Sequence, residues 1–127
     1  MTVIGIGVDL VSVDRITRIY KNFPDRFVER ILTDNEKAQF KAKGSSMQTL
    51  AARFAAKEAV LKAIGCGIGP AAMREVEIIT PSGKQPYVRL HGSASLIADN
   101  NNIGNIFITM SHEQNLACAF ATALAKV

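Results

Sequence analysis

The sequence predicts an α+β fold from three features: a β-branched apolar run at the start, a long alanine-rich helical stretch in the middle, and a mostly strand-like pattern after residue 69. Helices and strands therefore alternate unevenly, which argues against a doubly wound parallel sheet. With 127 residues, 48% hydrophobic and 20% charged, the chain has the profile of a single domain spanning residues 1–127.

Each element has a local reason. Val3 to Val8 is apolar and β-branched, punctuated by Gly5 and Gly7, and reads as a buried strand. Ser12 or Asp14 caps a helix running to about Lys21, and the Asn22-Phe23-Pro24 segment ends it. A short helix is expected from Arg26 to Leu32, and Thr33 with Glu36 forms a capping-box signature for the next one. Gly44 to Ser46 opens the long helix, and the glycine run from Gly65 to Gly69 closes it. Glu75–Thr80 and Pro86–Leu90 form a hairpin whose turn chemistry comes from Ser82 and Gly83. Ser93 to Asn100 is helical. Asn105–Met110 and Leu116–Leu124 read as a final strand pair around Ser111–Asn115, although periodicity alone suits a helix for the last run equally well.

Composition narrows the function classes. The net charge of +4 favours an anionic partner, either a phosphate-bearing ligand or an acidic protein. No dense Lys/Arg run exists and only 6% of residues are aromatic, so nucleic acid is not the expected partner. Cys66 and Cys118 are far apart without metal-like spacing and read as reduced thiols of a cytoplasmic protein. The N-terminal apolar run lacks a basic flank and is interrupted by Asp9, so neither a signal peptide nor a membrane partner is expected.

The chemistry centres on Glu58. On the long helix, Leu50, Phe54, Leu61 and Ile64 share one stripe, Lys57 falls near its middle, and Glu58 lies on its shoulder. An unpaired buried carboxylate is costly, so Glu58 needs a cation, a metal or a cleft. The plainer reading is an exposed Glu58–Lys62 pair one turn apart, with Lys57 snorkelling past its neighbours. Asp9 shifts that balance: it sits where the first strand is expected to end, and its own plainer role is to cap the following helix. Two carboxylates from separate elements suit Mg²⁺, which takes its remaining ligands from water and substrate phosphates. Arg53, Lys57 and Lys62 flank Glu58, and the amides of Gly65 to Gly69 could cradle phosphates, although this run follows a helix and is no P-loop. His112 follows Ser111 just past a strand, His91 reads as structural, and no nucleophile–base arrangement stands out.

Taken in order, GIGVDLVSVDRI, RFVERILT, ARFAAKEAVLKAIGCGIG and ITMSHEQNLACAFA resemble the holo-acyl-carrier-protein synthases, the small single-domain group of 4′-phosphopantetheinyl transferases. The resemblance covers almost the whole chain. It implies that fold, with a small, mostly antiparallel sheet packed against the long helix. It implies transfer of 4′-phosphopantetheine from coenzyme A to a serine of acyl carrier protein, in a homotrimer whose active sites lie between subunits. By motif position, Asp9 and Glu58 would hold Mg²⁺. Arg53, Lys62, Gly65, Gly67, Ser111 and His112 would face coenzyme A, with Glu58, Lys62 and His112 as the catalytic set. Arg15, Arg26 and Arg30 would meet the acidic carrier protein. Cys66 stands where threonine is frequent in the family. The competing expectation is a basic, non-enzymatic module that binds nucleic acid or acidic proteins and needs neither carboxylate.

Overall fold

The computed structural model describes residues 1–67 and 69–127. Strand β1 (Val3–Ser12) leads into helices α1 (Val13–Asn22), α2 (Pro24–Ile31), α3 (Asp34–Ala42) and α4 (Met47–Ala63). A single 3₁₀ turn (Met73–Glu75) precedes β2 (Val76–Ile79) and β3 (Tyr87–Leu90), followed by α5 (Gly92–Asn100), β4 (Ile103–Glu113) and β5 (Leu116–Ala125). β1, β5 and β4 form one antiparallel sheet with β5 in the centre, and β2 and β3 form a separate antiparallel hairpin.

The helix boundaries follow the capping chemistry. The Ser12 hydroxyl accepts from the Arg15 amide, Ser46 does the same for Thr49, and Thr33 and Glu36 form the reciprocal capping box. Pro24 opens α2, where its missing N–H and fixed φ suit the first turn. β1 is longer than expected: it runs through to Ser12, so Asp9 lies within the strand rather than at its end. The central position of β5 decides the ambiguity of the last run. Ala117, Ala119, Ala121 and Ala123 alternate inward, while Leu116 and Phe120 point to the opposite face.

α4 lies across this sheet and is buried on nearly every side, not along one stripe. Leu50, Ala51, Ala52, Ala55, Ala56, Ala59, Val60, Leu61 and Ala63 are all buried. Phe54, expected in the buried stripe, is only half-buried and joins Glu58 and Lys62 on the one open line of the helix. The other sheet face, carrying Ile4, Ile6, Val8, Leu10, Phe107 and Phe120, is exposed.

Candidate active site

Two glycines set the site. A Cβ at Gly5 would lie 2.0 Å from the Ala63 carbonyl oxygen, and one at Gly7 would lie 1.9 Å from that of Ala59. No side chain fits there, so the backbones of α4 and β1 meet directly. Two strand residues advance roughly 6.8 Å and four helix residues roughly 6.0 Å, so strand and helix stay in step. The next inward position of β1 is Asp9, and the next turn of α4 carries Glu58.

The two carboxylates are thereby brought to the same level of strand and helix. The Asp9 side chain is 12% exposed, and its Oδ1 accepts from Lys62 Nζ at 3.4 Å. Its Oδ2 is buried without a hydrogen-bond partner. Burial, then the Asp9 carboxylate beside it, hold the Glu58 carboxyl above its ordinary range, against the pull of Lys62 and Arg15. Two ionised carboxylates have no hydrogen to share, so a proton or a cation must reconcile them. An orphaned buried oxygen beside a second carboxylate fits a hard, oxygen-seeking divalent ion. No group of three or more His, Cys, Asp or Glu side chains placed to hold a metal occurs among the described residues.

Lys62 does not make the one-turn pair with Glu58. Its ammonium crosses instead to the Val8 carbonyl at 3.0 Å and to Asp9, and its side chain remains 52% exposed. Lys57 departs further from expectation. It neither snorkels nor flanks Glu58, because residue 57 points about 100° around α4 from residue 58 and is completely buried. There its ammonium donates to Glu36 Oε1 at 2.7 Å, to the Met73 carbonyl at 3.2 Å and to the Val76 carbonyl. Arg53 extends toward the Met110 sulfur (3.5 Å) and the Thr80 hydroxyl (3.3 Å), and the arginine acting on Glu58 is Arg15.

The glycine run is not the open cradle that its composition suggested. The Gly65 amide donates to the Lys62 carbonyl and the Cys66 amide to that of Leu61, so both are spent on closing α4. Gly65 holds φ +92° there, while the Asn101 side chain donates to the Ile64 carbonyl at 2.7 Å. Gly67 is exposed, and Ile68, part of the same run, lies outside the described residues.

Ser111 and His112 do not join the carboxylates within one chain. They lie on β4, with β5 between them and β1, roughly 10 Å from it at the usual strand spacing. Ser111 opposes Cys118 on the exposed sheet face. Arg15, Arg26 and Arg30 are all exposed on α1 and α2, with the Arg26 guanidinium 6.0 Å above the Phe23 ring. His91 pairs with the buried carboxylate of Glu77 at 3.0 Å.

Sequence reasoning missed Asn115. In the β4–β5 turn its carbonyl accepts from the Val13 amide and its Oδ1 from the Asp14 amide, each at 2.8 Å. Gln48 Nε2 reaches the Gln114 carbonyl of the same turn at 3.2 Å, so the turn joins the starts of α1 and α4. The tie forms between residues more than sixty positions apart, and no local pattern announces it. Gly5 and Gly7 did carry a signal, since glycine inside a strand marks close backbone approach.

Comparisons with known proteins match this architecture. The family model of the 4′-phosphopantetheinyl transferase superfamily matches residues 5–121. A holo-acyl-carrier-protein synthase of Alkaliphilus oremlandii is 43% identical over 121 residues, covering 94% of this chain and 98% of the relative. The crystal structure of the holo-acyl-carrier-protein synthase of Neisseria meningitidis superposes with a TM-score of 0.89 at 36% identity, covering 97% and 99% of the two chains. That of Helicobacter pylori, in complex with coenzyme A, does so with a TM-score of 0.83 at 30% identity over 94% and 99%. The matched segment runs from Gly5 past both carboxylates into β5, and by that match the chain belongs to the 4′-phosphopantetheinyl transferase superfamily, within its holo-acyl-carrier-protein synthase group.

Proposed function

We propose that this chain transfers the 4′-phosphopantetheine group of coenzyme A to a serine hydroxyl of apo acyl carrier protein, releasing adenosine 3′,5′-bisphosphate. The carrying observation is the buried, unpartnered Asp9 oxygen beside Glu58. Asp9 and Glu58 would hold Mg²⁺, which when bound offsets charge on the coenzyme's diphosphate.

The chain's own groups do the rest. The serine oxygen forms a bond to the phosphorus that bears pantetheine, and the bond from that phosphorus to the bridging oxygen breaks. The hydroxyl proton passes to a Glu58 carboxylate oxygen. Lys62, exposed at the mouth of the site, donates to the phosphate oxygens that gain charge. Positioning and charge stabilisation supply most of the rate, because no covalent enzyme intermediate is required.

The reading extends to a homotrimer in which Ser111 and His112 of one subunit, with Arg53, Gly65 and Gly67, complete the coenzyme site at a cleft between subunits. Support comes from the exposed apolar sheet face and from the separation of β4 from β1. Arg15, Arg26 and Arg30 offer an exposed cationic face to the acidic carrier protein. No helix among the described residues is long and apolar enough to cross a membrane; a cytoplasmic location belongs to this reading. A basic non-enzymatic module would have no use for two opposed carboxylates.

The test is direct. Apo carrier protein incubated with this chain, coenzyme A and Mg²⁺ should gain the mass of one phosphopantetheine. No gain by the wild type, or an undiminished gain with Asp9→Asn, would overturn the proposal.

A further inference from the structure

The open side of α4 carries the carboxylate site, and the closed side carries an ion pair that the proposed chemistry does not use. Lys57 and Glu36 are 0% and 3% exposed. An ammonium has three protons, and each finds an acceptor on a different segment: Glu36 of α3, Met73 of the 3₁₀ turn and Val76 of β2. Glu36 is itself fixed, since Oε2 accepts from the Ile78 amide at 2.9 Å and Oε1 from the Thr33 amide at 2.8 Å.

Such a network is a weak source of stability compared with apolar packing of equal volume, but its hydrogen bonds are directional. The contacts at Gly5 and Gly7 fix how closely α4 approaches β1 and its level along the strand, but its rotation needs directional contacts as well. Its sheet-facing and flanking positions are largely alanine, including Ala51, Ala52, Ala55, Ala56, Ala59 and Ala63. Small side chains present a smooth surface on which a helix can turn about its axis with little change in buried area. Residues 57 and 58 are separated by about 100° around the helix axis, so whatever fixes the rotation of Lys57 fixes the direction of Glu58.

We propose that Lys57 is a positioning residue: its three-point anchor to Glu36, Met73 and Val76 sets the rotation of α4 that holds Glu58 against Asp9. This inference rests on the reading of Asp9 and Glu58 as the ligand pair. It assigns a second polar cluster to the same reaction without placing it in contact with substrate.

The test replaces the pair together, Lys57→Met with Glu36→Gln, so that no buried charge is left alone. Mn²⁺ binding is measured by calorimetry without substrates, and kcat and KM are measured in the transfer assay at saturating Mg²⁺. Removing a support behind a ligand typically costs roughly 10–100-fold in metal affinity or activity. A loss of that size is expected in both Mn²⁺ affinity and kcat, with KM for the carrier protein unchanged. Phe40→Leu, a core truncation on α3, serves as the control for general loosening and should lower the melting temperature while leaving both quantities intact. If the double variant does not fold, Lys57→Gln with Glu36→Gln, which leaves no charge and keeps a hydrogen-bonding pair in place, should show the same changes to a smaller extent. A folded variant with wild-type metal affinity and kcat would overturn the anchor's role, as would equal losses in Phe40→Leu. If the wild type neither binds Mn²⁺ nor transfers the group, the ligand-pair reading falls and takes the anchor with it.

Discussion

Lys57 and Glu58 are neighbours in sequence and opposites in circumstance. Lys57 is sealed inside the protein with an acceptor for every proton, whereas Glu58 faces a carboxylate whose second oxygen has no partner at all. The carboxyls on the two sides diverge as well. Glu58 is held above its ordinary range by burial and by Asp9. Glu77 feels burial as an upward push, yet hydrogen bonds from His91, Thr33 and Asn35 overcome it and hold the group below that range. The contrast separates structure from function: polar groups that serve the fold are satisfied within it, and those that serve a ligand are left waiting for one.

The largest expected effect tests the waiting side. Glu58→Gln or Asp9→Ala should lower kcat/KM by roughly 10²–10⁴-fold, the usual worth of a positioned proton acceptor or ligand, while the melting temperature stays level or rises as the carboxylate repulsion disappears. Thermal melts and transfer rates on the same samples decide it; a parallel fall in both would erase the contrast.

Next comes the satisfied side. Lys57→Met alone strands a buried Glu36 carboxylate and should destabilise the chain by about 3–5 kcal/mol, most of which the added Glu36→Gln change restores. Chemical denaturation of the single and double variants gives that difference. Equal stability of the two would mean that Glu36 does not depend on its partner.

A smaller effect is expected on the helical face proposed to meet the carrier protein. Arg15→Glu should weaken carrier-protein binding by a few-fold to tenfold and coenzyme A binding by less, as measured by calorimetry for each ligand, because a rim charge mainly steers association. Equal losses for both would place Arg15 with Glu58 instead.

The smallest effect is the sharpest in sign. Glu77 has a folded-state pKa below its unfolded one, so its stabilisation is present above the ordinary carboxylate range and is lost as pH falls through the lowered value. Glu58 has a raised folded-state pKa, so its contribution is present below that range and is lost as pH rises through the raised value. Without divalent ions, Glu77→Gln should therefore flatten the loss of stability as pH falls, and Glu58→Gln should remove a loss of stability as pH rises toward neutrality. Denaturation midpoints across the acid range measure both slopes, and slopes of the same sign would contradict the contrast.

Much of the molecule was legible before folding because its signals are local. Thr33 and Glu36 cap a helix through residues three apart, and Pro24 starts one through its own ring. Asp9 and Glu58 could be chosen because carboxylates on apolar elements demand an explanation wherever they meet. Lys57 was misread for the complementary reason: one helix turn cannot show that Glu36, Met73 and Val76 lie behind it. The open glycine cradle failed similarly, since Gly65 and Cys66 use their amides to finish α4.

The sequence by itself determined the helices with their caps, the hairpin, the α+β class and the residue types able to hold a divalent ion, all of which depend on neighbours within a few positions. Tertiary structure alone decided that α4 presses backbone-to-backbone on β1 at Gly5 and Gly7, that Lys62 crosses to Asp9, and that Lys57 faces inward. Those outcomes depend on which surfaces exclude water from one another, and that is settled only when segments dozens of residues apart compete for the same space.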